Sequence, residues 1–337
     1  MEKRNMAVWL DGLKKSDKKQ ALPILSFPGT QLIGMSVKEM LSSAENQAKA
    51  MKAVADRVPS ASSVGFMDLS VEAECFGAAV TASENEVPTV EGALVSSMEE
   101  AEALRVPAVG AARSGIYVDA VRLAKGMISD RPVLAGVIGP FSLAGRLAGV
   151  SEAMVYCYTE PELLETVLAK ATEFLVAYAK AFKAAGADGV VIAEPLAGLL
   201  SPEMAEQFSE PFVKKLVSEV QDEHFAAIYH NCGNTAVRII DSILRTGAAA
   251  YHFGNAVDMA DVMAHMSEDT LAMGNIDPAG EFANGTAESI SAATRALLEK
   301  CGKYKNFMPS SGCDIPAHAK WENIDAFFAE VKRYYGE

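Results

Sequence analysis

The stretch Ala226-Ala227-Ile228-Tyr229-His230-Asn231-Cys232-Gly233-Asn234-Thr235 decides how this chain is read. Ala226–His230 is a short apolar run of the kind that forms a buried strand. Gly233-Asn234-Thr235 then signals a turn and a helix start, with Asn234 or Thr235 as the cap and Gly247 as the stop. Seven more apolar runs occur, at Pro23–Phe27, Ser63–Asp68, Val133–Ile138, Gly189–Ala193, Ala249–Phe253, Leu271–Asn275 and Asn306–Ser310. Stretches such as Val37–Val58, Pro161–Ala185, Pro202–Glu219, Thr235–Thr246 and Ala287–Lys300 read as amphipathic or Ala-rich helices. Near-continuous apolar strands alternating with helices imply a parallel sheet. Eight of them in 337 residues point to an α/β fold of the (β/α)8 TIM-barrel type. A doubly wound open sheet is the main rival. We expect one barrel domain over residues 1–337, preceded within it by a helical extension over about residues 1–22.

The same stretch carries chemistry. Residues two apart on a strand point to one side, so His230 and Cys232 converge. Cys313, in Pro309-Ser310-Ser311-Gly312-Cys313-Asp314-Ile315-Pro316, can close a three-ligand site from a distant loop. One His and two Cys suit Zn2+, and three protein ligands leave a fourth position open for a substrate. A lone His or Cys on an apolar strand is ordinarily a core residue. These three, however, lie in Gly-rich, polar segments at strand ends. Cys75, Cys157 and Cys301 have no paired spacing and read as structural.

Barrel active sites lie at the C-terminal ends of the strands. Asp68, Gly139-Pro140, Glu194-Pro195, His252 and Asn275-Ile276-Asp277 fall there, each either functional or an ordinary loop or capping residue. We take Glu194 and Asp68 as candidate catalytic groups, and Arg146 and Asn275 as candidate cofactor-binding groups. Glu194 is a candidate temporary metal ligand or a carboxylate beside the metal. Leu69–Val90 is long and polar with little strand signal, either a solvated excursion or a lid or substrate wall on the active face.

Composition narrows the function classes. The chain has 30 basic and 44 acidic residues, a formal charge of −14, which argues against nucleic acid as a partner. No run of 18 uninterrupted apolar residues occurs, so no membrane span is expected. Met1-Glu2-Lys3-Arg4 lacks the apolar core of a signal peptide, and five cysteines without framework spacing favour reduced thiols, so we expect a cytoplasmic protein. There is neither a phosphate-cradling loop nor a dinucleotide fingerprint.

Three further stretches carry a resemblance: Pro23-Ile24-Leu25-Ser26-Phe27-Pro28-Gly29, Met67-Asp68-Leu69-Ser70-Val71-Glu72-Ala73-Glu74 and Gly139-Pro140-Phe141-Ser142-Leu143-Ala144-Gly145-Arg146. Together with the H-x-C and the distant Gly-Cys, they resemble the uroporphyrinogen decarboxylase superfamily and, within it, the methylcobamide:coenzyme M methyltransferases. That resemblance implies a (β/α)8 barrel with Zn2+ on His230, Cys232 and Cys313. It also implies methyl transfer from methylcobalamin or a methylated corrinoid protein to a small thiol. The decarboxylase itself has an Arg-rich loop after its first strand for substrate carboxylates, whereas Ser26-Phe27-Pro28-Gly29-Thr30-Gln31 contains no Arg. Arg146 could meet the sulfonate of coenzyme M, or it is a structural or exposed Arg. The acceptor stays open between coenzyme M, homocysteine, another small thiol and tetrahydrofolate. The competing readings are a decarboxylase-like lyase and a non-catalytic corrinoid-binding barrel whose zinc is structural.

Overall fold

The computed structural model describes residues 3–336. Its strands are β1 (Ser63–Val64), β2 (Ala79–Thr81), β3 (Thr89–Glu91), β4 (Val133–Ile138), β5 (Gly189–Ala193), β6 (Ala226–Asn231), β7 (Ala250–Phe253), β8 (Leu271–Ile276) and β9 (Phe307–Ser311). Seven of them form one parallel sheet in the order β1-β4-β5-β6-β7-β8-β9. Helices connect consecutive strands, as parallel pairing requires. The sheet curls until its two edges meet one extended segment: Leu22 N–H donates to Pro309 O at 3.0 Å, and Ala61 N–H to Ala21 O at 2.9 Å. The result is a (β/α)8 barrel-like fold.

That closing segment is where the expected first strand, Pro23–Phe27, lies, and it forms no ladder. Pro23 has no N–H to give. The Ile24 N–H goes instead to the Ser311 hydroxyl at 3.0 Å, and Ile24 O accepts from Ile315 N–H. The expected strand Ser63–Asp68 pairs only over Ser63–Val64 before leaving the sheet, with Gly65 N–H making one more bond to Leu134 O at 2.7 Å. The runs at β4 to β9 lie within a residue of the expected bounds.

Two expected helices are broken for local reasons. Val37–Val58 divides into Val37–Leu41 and Ala44–Arg57, because Ser43 caps the second piece through Asn46 N–H. Pro202–Glu219 divides at Ser209, where Pro211 starts the second piece and lacks the N–H that would continue the first. Leu69–Val90, expected to show little strand, contains the helix Val71–Cys75 and an antiparallel pairing of β2 with β3 through Val80 and Val90. That excursion leaves from the C-terminal end of the strand region at Asp68.

Side chains alternate across the sheet. Val190, Ile192, Ala227 and Tyr229 pack outward against the helices. Val191, Ala193, Ala226, Ile228, Ala250, Met273 and Met308 fill the barrel with Val64, Leu134 and Leu271. The N-terminal helix Met6–Lys15 adds Met6 and Leu10 to this inner cluster, and Met6 N–H bonds Glu223 O just before β6. The helix therefore covers the N-terminal end of the barrel, leaving the opposite end for the polar layer. Leu134→Ala would empty a wholly buried inner position. We expect a loss of about 2–5 kcal/mol, read as a lower denaturant midpoint at unchanged slope. An unshifted midpoint would contradict the packed interior described here.

Candidate metal centre

His230 lies one residue before the end of β6, on the side of Ala226 and Ile228, so it faces the barrel interior one layer above them. Parallel register sets it beside Ala193 of β5 and His252 of β7. Cys232 follows just past the strand end, and Cys313 lies two residues beyond β9. The ligand atoms of these three residues all lie within 4.8 Å of one another, with Cys313 Sγ 3.5 Å from His230 Nε2. His230 is buried and both cysteines are half-buried. Backbone approach makes the cluster this tight. A Cβ on Gly254 would sit 2.5 Å from Cys232 Cα and 2.6 Å from its Cβ, so only glycine lets the turn after β7 pass there.

The two thiols interact. Their interaction brings the Cys232 thiol down to about 7, while the same interaction and then burial push Cys313 up to about 12. The pair thus yields one proton readily and retains the other. The donor set fits a metal. A tetrahedral ion with Zn–S near 2.3 Å and Zn–N near 2.0 Å sets an S···N edge of about 3.5 Å, and Cys313 and His230 already hold that spacing. The other ring nitrogen of His230 lies 2.7 Å from His252 Nδ1, and His252 Nε2 lies 2.7 Å from Ser310 Oγ. Next to Cys313, Asp314 has Oδ1 buried without a hydrogen-bond partner, and burial pushes its carboxyl well above the ordinary value.

Glu194 adjoins the cluster through its backbone, since Glu194 N–H donates to His230 O at 2.8 Å. Its carboxylate points elsewhere. One oxygen accepts from Phe141 N–H at 2.9 Å, and the other from Ser142 N–H at 2.6 Å and the Ser142 hydroxyl. Those donors are the N-terminus of the helix Pro140–Ala148, where negative charge is favoured. Burial nevertheless pushes the carboxyl up to about 7, against these three bonds. Gly139 leaves room for it: a Cβ there would lie 2.4 Å from Glu194 Oε2.

The remaining candidates are not among the three clustered ligands. Asp68 is buried and accepts from Arg113, from Tyr117 at 2.7 Å and from Ser70 at 2.6 Å. Arg113 also holds Glu74 at 2.7 Å. Asn275 spends its amide N–H groups on Gly254 O at 3.0 Å and Val257 O at 2.8 Å, bracing the turn that passes Cys232. Arg146 sits in the last turn of Pro140–Ala148, half-buried. Thr235 caps nothing through its side chain; its hydroxyl donates to Gly198 O instead.

Arg113, Tyr117 and Ser142 were missing from the sequence reading. Arg113 reaches Asp68 across 45 residues and Ser142 reaches Glu194 across 52. No local spacing announces such pairs. Gly139-Pro140, a helix-start signal directly before Phe141-Ser142, was the one available clue for the second.

Fold and site together define a parallel βα-barrel with a His/Cys/Cys cluster at the strand C-termini, the end at which barrel enzymes work. The chain belongs to the uroporphyrinogen decarboxylase (URO-D) family, which it matches over residues 19–334. It is 31% identical to the methylcobamide:CoM methyltransferase MtbA of Methanosarcina mazei over 69% of each chain. It is 29% identical to the enzyme of the same name from Methanosarcina acetivorans over 79% of this chain and 78% of that one. A solved methyltransferase from Methanosarcina mazei shares the fold with a TM-score of 0.88 over 99% of both chains, at 24% identity. No helix among the described residues is long and apolar enough to cross a membrane.

Thiols react with iodoacetamide as thiolates, which gives the sulfur pair a measurable pH dependence. In chelator-treated protein, Cys232 alkylation should rise through a midpoint of about 7, below the ordinary thiol value of 9. Cys313→Ala removes its interaction with Cys232 and should move that midpoint upward. An unmoved midpoint would show that Cys313 does not activate Cys232.

Proposed function

We propose that this protein transfers a methyl group from a methylated corrinoid, presented by a corrinoid protein, to a small thiol such as coenzyme M. Zn2+ held by His230, Cys232 and Cys313 is part of this reading. The observation that carries it is the convergence of one imidazole and two thiols at the active end of the barrel. Relatives named as methylcobamide:CoM methyltransferases give the donor and acceptor class.

When bound, Zn2+ holds a substrate thiol as the thiolate at neutral pH. His230 contributes a neutral nitrogen, and Cys232 and Cys313 contribute one negative charge each. Cys232 and Cys313 together would balance the charge of the ion, so a substrate thiolate held there would keep its electron density. The hold of the Pro140–Ala148 helix on the Glu194 carboxylate supports a fourth position left to the substrate. In the transfer a sulfur–carbon bond forms and the carbon–cobalt bond breaks, with that electron pair remaining on the corrinoid. The thiol proton leaves for solvent. Half-buried Cys232 and Cys313 suit a site reached from the barrel mouth. The Asp68–Arg113 cluster and the β2–β3 excursion form one wall of that mouth in this reading. Five free thiols agree with a reducing, cytoplasmic setting.

The test is a transfer assay with methylcobalamin and coenzyme M, alongside zinc analysis. We expect about one zinc per chain, methylated thiol as product, and faster transfer from a methylated corrinoid protein than from the free cofactor. Cys232→Ala and Cys313→Ala should lose most of the zinc and the activity. Full zinc in both variants would overturn the ligand assignment. Decarboxylation of uroporphyrinogen with no methyl transfer to any thiol would overturn the reaction.

A further inference from the structure

We infer that His252 and Ser310 are positioning residues that set which nitrogen of His230 carries the proton, and so make its Nε2 a metal ligand. The inference rests on the metal reading above, but its starting point is a backbone carbonyl on the opposite side of the barrel interior.

Ser310 Oγ lies 2.7 Å from Leu22 O. A carbonyl oxygen only accepts, so the single hydroxyl hydrogen of Ser310 points to Leu22. Ser310 Oγ can then only accept from its other neighbour, His252 Nε2 at 2.7 Å, which must carry a hydrogen. His252 is buried with no acid in hydrogen-bond contact, surroundings that hold an imidazole neutral. Its Nδ1 is therefore a bare acceptor. Facing it at 2.7 Å, His230 Nδ1 must donate. A neutral His230 with its proton on Nδ1 has a lone pair on Nε2, the nitrogen 3.5 Å from Cys313 Sγ.

With His252 neutral, each step follows from counting donors, and the run cannot be reversed, because it terminates on a group that cannot donate. Four chain segments build it: the closing segment at Leu22, β9 at Ser310, β7 at His252 and β6 at His230. Metal-binding histidines ordinarily hand their second N–H to a carboxylate, carbonyl or water. Here a second imidazole takes that place, and a serine anchored on the closing segment orients it.

Ser310→Ala tests this without touching a ligand. With no hydroxyl to receive it, the His252 Nε2–H loses its partner. His252 can then take the other tautomer, which forces the His230 proton onto Nε2. In metal-free wild type, 15N NMR of the His230 ring should show the Nδ1–H tautomer. In Ser310→Ala that preference should be lost, and Zn2+ affinity measured against a competing chelator should fall about 10- to 100-fold. Ser310→Thr keeps the hydroxyl and should bind within a few-fold of wild type. A second pair gives an independent reading should Ser310→Ala not fold. His252→Leu should lose affinity, and His252→Gln, whose amide both accepts and donates, should keep most of it. A wild-type His230 protonated on Nε2, or a folded Ser310→Ala with unchanged tautomer and affinity, overturns the inference. A wild-type chain that takes up no zinc yet shows the Nδ1–H tautomer overturns the metal reading and leaves the proton order standing.

Discussion

In a closed parallel sheet every second side chain of every strand must face the same interior, and at each height the strands must share that space. The rest of this structure depends on that constraint. The lower layers satisfy it with Leu134, Ile228, Ala250, Leu271 and Met308, and the helix Met6–Lys15 covers their end. One layer higher, the inward positions of β6, β7 and β9 are His230, His252 and Ser310. Polar groups buried together must satisfy one another. The three do so in a single run that ends on Leu22 O of the closing segment. The metal-ligand cluster sits on the open side of that layer, where apolar packing stops.

Two carboxylates at the strand ends are held by partners of their own. Glu194 is bound by the N-terminus of Pro140–Ala148, and Asp68 by Arg113, Tyr117 and Ser70. A free carboxylate beside an imidazole and two thiols would compete for a cation with the sulfurs and favour harder ions. Tethering both removes two hard donors from competition with one nitrogen and two sulfurs. The same tethers bind the strand ends to the first turns of neighbouring helices, so these positions are braced by hydrogen bonds rather than left on free loops.

Much of this was legible in the sequence. The apolar runs at β4 to β9 are buried on both faces at all but Gly136 and Asn275, so composition alone marks them. The closing segment and the short β1 were misjudged as full strands. Their apolar residues are buried as expected, but Pro23 and the Ser311 hydroxyl divert the backbone hydrogen bonds that define a ladder. The convergence of His230 and Cys232 was legible because a period of two is a local property, and that of Cys313 because it stands in a Gly-containing polar loop at a strand end. His252 stood among the strand-end residues, but nothing local shows that its ring meets His230 at 2.7 Å. Partners such as Arg113 for Asp68 come from elements far apart in the chain, and only tertiary packing brings them together.

The central claim is that His230, Cys232 and Cys313 hold one zinc with a position open to a substrate thiol. X-ray absorption at the zinc edge measures it most directly. The account predicts two sulfurs near 2.3 Å and nitrogen or oxygen near 2.0 Å for the protein alone, with a third sulfur on addition of coenzyme M. A sulfur count of two that stays unchanged under a saturating thiol that the protein demonstrably methylates would contradict it.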